Sequence, residues 1–134
     1  MSWSNVDLSK VSPVLELIPE GKYTFTLAPG AREDENGRLI LTAHITNDGD
    51  FNGRRVTFSY PNLDQADWAP AMVKRLQEAT GLDAVEGETP IQFFSRAAGA
   101  TFGAPIVHQE YTPEGATQPR KTAKLNIFKT YAAA

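Results

Sequence analysis

The sequence contains no cysteine and only two histidines, His44 and His108. The missing thiols exclude disulfides, cysteine nucleophiles and cysteine-based zinc sites, and they are typical of a reducing cytoplasm. We interpret both histidines as structural, since His44 falls on the outer side of a predicted strand and His108 lies near a strand end. Phosphate-binding glycine loops and nucleophile motifs are also missing. The sequence therefore predicts a protein that is not an enzyme and that has no catalytic site, metal or cofactor.

Long apolar runs are missing as well, and none approaches the roughly 18 residues that a membrane helix needs. Residues 1–5 lack the basic start and apolar core of a signal peptide. We therefore expect a cytoplasmic protein with no membrane partner. Its 134 residues, 41% hydrophobic and 22% charged, are typical of one soluble globular domain with a core of its own.

Acidic residues are absent from one part of an otherwise acidic chain. The formal net charge is −3 and the pI is near 5.3, which argues against nucleic-acid binding over the whole surface. Residues 115–134, however, hold four Lys or Arg and no Asp or Glu, with Phe128 and Tyr131 among the cations. The segment indicates a local anionic partner, and nucleic acid is the main candidate. A strand with a polar outer side explains the same composition equally well.

Period-two alternation of apolar and polar residues predicts five β-strands. They cover residues 22–27, 38–46, 54–60, 100–111 and 120–131. Turns rich in Asn, Asp, Gly or Pro separate the first three strands, which favours an antiparallel meander. In the last strand we expect Leu125, Ile127 and also Tyr131 to face the core, and Lys124, Asn126, Phe128 and Thr130 to face outward.

One main helix is expected between the third and fourth strands. Asp64 or Asp67 is its predicted cap, and Gly81 supplies its stop. Helical spacing of the apolar residues places Trp68 in the core.

A shorter helix is expected at residues 90–98, with Thr89 as its cap and a proline in its first position. Of its adjacent Phe93 and Phe94, we expect one ring in the core and the other partly exposed.

The predicted order is three strands, one main helix, a short helical turn and two strands, which is the order of an OB-fold. The expected fold class is mainly β: a five-stranded antiparallel OB-fold barrel with one main helix between strands 3 and 4. Residues 20–131 form this domain. Residues 1–19 form an N-terminal arm anchored by Leu15 and Leu17, and residues 132–134 form a short tail.

Sequence-tolerant binding of a single strand needs cations along the phosphates and flat rings on which bases stack. OB-folds supply both from strands 2 and 3 and from the loops that join strands 1–2 and 4–5. The outward-facing candidates are Arg38, His44, Arg54, Arg55, Tyr111, Arg120, Lys121, Lys124, Phe128 and Lys129. Phe128 is the most informative, because an aromatic ring on the polar side of a strand has no evident core role. Stacking with a base and packing under the N-terminal arm explain it equally well.

Four segments together resemble an uncharacterised bacteriophage family. They are Leu17-Ile18-Pro19-Glu20-Gly21-Lys22-Tyr23, an Asn-Gly hairpin followed by Leu39-Ile40-Leu41-Thr42, Asn52-Gly53-Arg54-Arg55-Val56, and the helix at residues 72–82. The resemblance covers roughly residues 15–131, and its motifs are mostly turn and core signals. It implies a single-stranded-DNA-binding-like OB-fold protein of a phage replication or recombination module, located in the host cytoplasm. Many such binders end in an acidic tail that recruits replication proteins, whereas this chain ends in Lys129-Thr130-Tyr131-Ala132-Ala133-Ala134.

The leading hypothesis is a non-enzymatic protein that binds single-stranded DNA without strong sequence preference through a basic and aromatic face. Further candidate partners are a second copy of the chain, as a homodimer, and phage replication proteins. The alternative is a phage structural or protein-interaction module that does not bind nucleic acid. In that case the basic strand contacts an acidic protein.

Overall fold

The alternating segments fold into β-strands. The chain forms four β-strands, then two α-helices, then two further β-strands. The computed structural model describes residues 3–10, 17–46, 49–112, 114–115 and 117–133. The strands are β1 (Gly21–Leu27), β2 (Arg32–Glu33), β3 (Leu39–Thr46), β4 (Arg55–Tyr60), β5 (Thr101–Tyr111) and β6 (Arg120–Leu125). The helices are α1 (Ala69–Ala79) and α2 (Pro90–Arg96). Single 3-10 turns lie at Trp3–Asn5, Leu8–Lys10 and Gly49–Phe51.

The strands form one antiparallel sheet with β1 near its centre. β1 pairs with β3 on one side and with β5 on the other, β4 pairs with β3, and β6 pairs with β5. The predicted mainly β class is therefore confirmed. The sheet is open: β4 and β6 approach to within 8 Å between Cα atoms, but no pairing joins them in the described part of the chain. The two-residue strand β2, which we had expected to be loop, pairs with the start of β3. The result is an open sheet of six strands in place of the expected five-stranded barrel.

The core lies against one face of this sheet, which we call the inner face. Phe25, Phe58 and Phe102 meet there from three different strands, with ring centroids 5.5 Å apart for Phe25 and Phe102 and 6.1 Å apart for Phe58 and Phe102. Leu76 of α1 is fully buried in the same core. Because full burial of such a side chain contributes about 1.5–3 kcal/mol, these positions fix which side of each strand points inward. The alternation also places Tyr23, Leu39 and His108 on the inner face, where they are half-buried and lie toward strand ends.

Helix α1 begins after both of its predicted caps, Asp64 and Asp67. Its N-cap is Trp68, whose side chain makes no capping hydrogen bond. Trp68 is 39% exposed, so its prediction as a core residue is wrong. The indole lies instead against the C-terminal segment, with its ring centroid 4.8 Å from that of Phe128. The helix stop is confirmed, since Gly81 follows with a φ of 76°, a left-handed conformation that favours glycine.

Helix α2 has the predicted cap. The Thr89 hydroxyl accepts the backbone N–H of Gln92, and the Gln92 side chain accepts the backbone N–H of Thr89, which completes a capping box. Phe93 and Phe94 are both buried, at 3% and 1% exposure, so the expected partly exposed ring is wrong. Their rings pack edge to face at 5.0 Å, and the Arg96 guanidinium lies 4.9 Å from the centroid of Phe93.

The last predicted strand is interrupted by a turn. β6 ends at Leu125, and residues 126–129 turn before the chain reaches the sheet again. Leu125 and Ile127 are buried, as predicted. Thr130 is also buried, at 1% exposure, although we expected it to face outward. The turn breaks the alternation, and the Thr130 carbonyl accepts the Arg75 Nε–H at 2.8 Å, which ties this segment to α1.

The arm that precedes β1 is anchored by a residue other than the predicted leucine. Leu17 is 36% exposed, whereas Ile18 is 3% exposed, and its carbonyl lies 2.7 Å from His108 Nε2. The described residues contain no helix with the length and apolar character needed to cross a membrane. The predictions that lie outside the described residues concern Leu15, the turn residues Asn47 and Asp48, the loop residues Pro113 and Ala116, and Ala134.

Candidate nucleic-acid interface

The face of the sheet opposite the core, which we call the outer face, carries no acidic residue on any of the six strands. Cross-strand partners point to the same side of a sheet, so the register assigns each strand residue to a face. The outer-face residues are Lys22, Thr24, Thr26, Arg32, Ile40, Thr42, His44, Thr46, Arg55, Thr57, Ser59, Thr101, Gly103, Pro105, Val107, Gln109, Tyr111, Arg120, Thr122 and Lys124. Five of them are Lys or Arg, although the chain as a whole has net charge −3.

The two acidic strand residues point to the other side. Glu33 pairs with the inner-face residue Leu39, and Glu110 pairs with Lys121. Another acid next to the sheet is Glu20, which comes directly before β1. Its carboxylate accepts the backbone N–H of His108 at 2.9 Å, so it is engaged in holding β5 next to the arm.

The centre of the outer face is a row of side chains that crosses four strands. Arg55 is paired with His44, His44 with Thr26, and Thr26 with Thr101. The next row contains Thr46, whose hydroxyl oxygen lies 2.6 Å from that of Thr26. The row therefore presents a cation, an imidazole and hydroxyl groups side by side, all of which can bind phosphate or base edges.

Tyr131 places an aromatic ring on the outer face beside this row. Its backbone pairs with Gly103 in both directions, with Gly103 N–H to Tyr131 O at 2.7 Å and Tyr131 N–H to Gly103 O at 2.9 Å. The ring covers Gly103 so closely that a Cβ at that position would lie 2.5 Å from Tyr131 Cζ and 2.7 Å from Cδ2. Glycine is therefore what allows the ring to lie against the sheet. The ring remains 38% exposed, and Lys22 Nζ lies 6.0 Å from its centroid.

No protein-family model matches the sequence, and no curated protein is significantly similar to it. The function must therefore be argued from the geometry of the site.

Half of the candidate residues named from the sequence share the outer face. They are His44, Arg55, Tyr111, Arg120 and Lys124. Tyr111 and Arg120 are direct cross-strand partners at the far end of β5 and β6, and His44 and Arg55 are partners at the other side of the sheet.

The other candidates lie elsewhere, each for a local reason. Arg38 forms an ion pair with Asp34, with 2.8 Å between Nε and Oδ2. Lys121 points to the opposite side of β6, across from Glu110.

Arg54 precedes β4, and its guanidinium lies 5.9 Å from the ring of Phe51. Phe128 and Lys129 belong to the turn after β6. Phe128 packs against Trp68, so this ring is not on the polar side of a strand as expected.

Three outer-face residues were missed as site candidates: Lys22, Arg32 and Tyr131. Lys22 was detectable, because it alternates with the inward residues of the first strand. Arg32 was assigned to a loop. Tyr131 was expected to face the core, but the turn that interrupts the last strand returns it to the outer face, where it is 38% exposed. Only the folded structure brings these residues to the same face.

The groups with shifted pKa values lie away from the outer face. Hydrogen bonds from Arg96 lower the pKa of Glu88 to about 2, and the backbone N–H of Arg38 holds the pKa of Asp34 below its ordinary value. Burial raises the pKa of Tyr60. In the described ranges, no group of three or more His, Asp or Glu side chains could hold a metal ion. The outer face thus offers cations, hydroxyls and rings, which are groups suited to binding.

Proposed function

We propose that this protein binds single-stranded DNA through the outer face of its sheet, without strong sequence preference and without catalysis. The observation that carries the proposal is the charge of that face: five cations and no carboxylate, in a chain of net charge −3. A positive face on an acidic protein attracts a polyanion locally while the rest of the surface repels it.

The proposal includes an OB-fold architecture. The neighbour order β4-β3-β1-β5-β6 supports it. An OB-fold barrel has the same neighbour order, with its two end strands also paired. OB-folds are often partly open, and they bind oligonucleotides across the face formed by their second and third strands. Here those strands are β3 and β4, which carry His44 and Arg55 on the outer face.

The chemistry of the outer face fits a single strand better than a duplex. The Tyr131 ring lies against Gly103 and is 38% exposed, and an exposed ring in that position can stack with an unpaired base, which contributes about 1–3 kcal/mol per base. Lys22 lies next to the ring and can contact the adjoining phosphate. The resemblance to phage single-strand binders supports a role in a replication or recombination module.

The test is a titration of fluorescein-labelled oligothymidine, followed by anisotropy at several salt concentrations. With at most five cations on the face, we expect the logarithm of the binding constant to fall with that of the salt concentration with a slope no steeper than about −3.5. Absence of binding at the lowest salt would remove the proposal. Binding that does not depend on salt would show that the cations are not the contact.

A matched pair of variants on one strand locates the contact. Lys124→Glu places a negative charge on the outer face, whereas Lys121→Glu makes the same change three residues away on the opposite side of β6. We expect the first to weaken binding at least tenfold and the second to change it less than threefold, because like charges on the face repel phosphate. Equal effects would argue for a diffuse electrostatic attraction without a defined face.

A further inference from the structure

A groove between the two helices and the sheet lies apart from the outer face. It contains a cavity of about 610 Å³, within the range of about 300–1,000 Å³ that is typical of ligand pockets. Leu39 and Tyr60, an inner-face pair, form one wall, and Val73 of α1 and Ile91 of α2 form the other. A second cavity of about 180 Å³ shares Val73 and continues between the helices. We call the two together the helix groove.

The helix groove is bordered by apolar side chains that the fold leaves in solvent. Leu63 lines it and is 67% exposed, and Val73 and Ile91 in its wall are half-buried. Pro70 and Pro90 belong to the walls of both cavities. Since proline has a fixed φ and no N–H to donate, these walls are stiff and present carbon atoms.

The segments that form the helix groove are strongly acidic. Residues 32–39, 60–74 and 82–96 together hold eight Asp or Glu and four Lys or Arg. Two of the cations are engaged in ion pairs, Arg38 with Asp34 at 2.8 Å and Arg96 with Glu88 at 2.6 Å. The lining of the larger cavity holds Glu33 and Asp64 and no Lys or Arg, and the smaller cavity adds Lys74 and Glu88, which is paired with Arg96. The groove therefore repels a phosphate backbone and attracts positive charge.

We propose that the helix groove is a docking site for a basic segment of a partner protein, which inserts apolar side chains between α1 and α2. Lys or Arg residues that flank those side chains lie against Glu33 and Asp64, the carboxylates of the groove lining that belong to neither ion pair. Charge complementarity fixes this choice of occupant, since an acidic or uncharged apolar segment gains nothing from the carboxylates. The inference does not depend on the proposed DNA binding, because it uses a different face.

The test uses two synthetic peptides with the same Trp-Leu-Leu centre, one flanked on each side by two lysines and one by two glutamates. Each is titrated into the isotopically labelled full chain, and amide chemical shifts report the site. We expect the lysine peptide to shift the signals of Val73, Ile91 and Leu63 and to bind at least tenfold more tightly than the glutamate peptide. Equal affinities, absence of binding, or shifts on the outer face would overturn the proposal.

Variants separate the two parts of the recognition. Asp64→Lys should weaken the lysine peptide about tenfold, whereas Glu114→Lys, the same kind of change in the β5–β6 loop, should leave it unchanged. Leu63→Ser should also weaken binding, and Leu8→Ser, at a position that is 81% exposed and outside the groove lining, should not.

Two further outcomes would contradict the proposal. Oligothymidine that displaces the lysine peptide would place both ligands on one face. Concentration-dependent shifts at Val73 and Ile91 without peptide would make a second copy of the chain the occupant.

Discussion

Replacing Gly103 by alanine should destabilise the protein, although alanine ordinarily stabilises a strand relative to glycine. A Cβ at this position would meet Tyr131, with Cζ at 2.5 Å and Cδ2 at 2.7 Å, and the covering ring must move away from the sheet. The two hydrogen bonds between Gly103 and Tyr131 hold the backbone in place, so the ring must make room by rotating about its side-chain bonds, which removes its contact with the sheet. Forcing extra volume into such a contact typically costs about 1–3 kcal/mol.

The sign of the effect should reverse when the ring is removed. In a Tyr131→Ala background, Gly103→Ala no longer meets a ring and should stabilise the strand by about 0.5–1 kcal/mol, since glycine loses more conformational freedom on folding. The double-mutant cycle should therefore give a coupling of about 1.5–4 kcal/mol between the two positions. Denaturant unfolding of the four proteins measures it. Additive effects, or a stabilised Gly103→Ala single variant, would refute the view that glycine is present to seat the ring.

Three other predictions concern single groups. Tyr60→Phe should leave the stability to denaturant unchanged or raise it by up to about 1 kcal/mol, because the buried Tyr60 hydroxyl has no hydrogen-bond partner in the described structure. A clear loss of stability would mean that the hydroxyl does have a partner. Thr89→Ala should lower the stability by about 1 kcal/mol through loss of the capping box, and Thr89→Ser should restore most of it. An NMR titration should give the Glu88 carboxyl a pKa of about 2 in the natural sequence, and a value nearer the ordinary 4.5 in Arg96→Gln. Because folding lowers this pKa, the ion pair contributes fully to stability at pH values above the ordinary pKa of 4.5, and the contribution is lost as the pH falls toward 2. An unshifted Glu88 pKa in the natural sequence would contradict the prediction.

The sequence predicted the strands well because their inner-face residues alternate without interruption. In their strands every second residue is apolar, and the buried residues Phe25, Phe58 and Phe102 lie in this pattern. A shift of the strand register by one residue would expose all three rings. The α2 cap was predictable because it is also local. Thr89 and Gln92 exchange their capping hydrogen bonds within four residues of chain. Strands and caps of this kind can be predicted because the residues that determine them are neighbours in the sequence.

Positions that depend on distant contacts could not be derived in this way. Trp68 has helical spacing, yet its ring turns outward because the turn after β6 supplies Phe128 as a partner. Strand parity predicts an outward Thr130, yet the turn breaks the alternation and Thr130 is buried, with its carbonyl bound by Arg75 of α1. The residues that neighbour Trp68 or Thr130 in the sequence do not predict these partners, because the partners lie more than fifty residues away in the chain.

The turn after β6 changes which residues of the C-terminal segment are expected to bind. The absence of acids in residues 115–134 predicts contacts by Phe128 and Lys129, but the turn removes both from the sheet face. Tyr131 takes the place of Phe128, because its pairing with Gly103 returns it to the outer face. Phe128→Ala should therefore disturb the Trp68 environment, visible as a change in tryptophan fluorescence, and weaken DNA binding less than twofold. Tyr131→Ala should weaken it by about 1–3 kcal/mol, since it removes a stacking surface. If Phe128→Ala proves the more damaging to binding, the contact lies at the turn, and the outer face is not the interface.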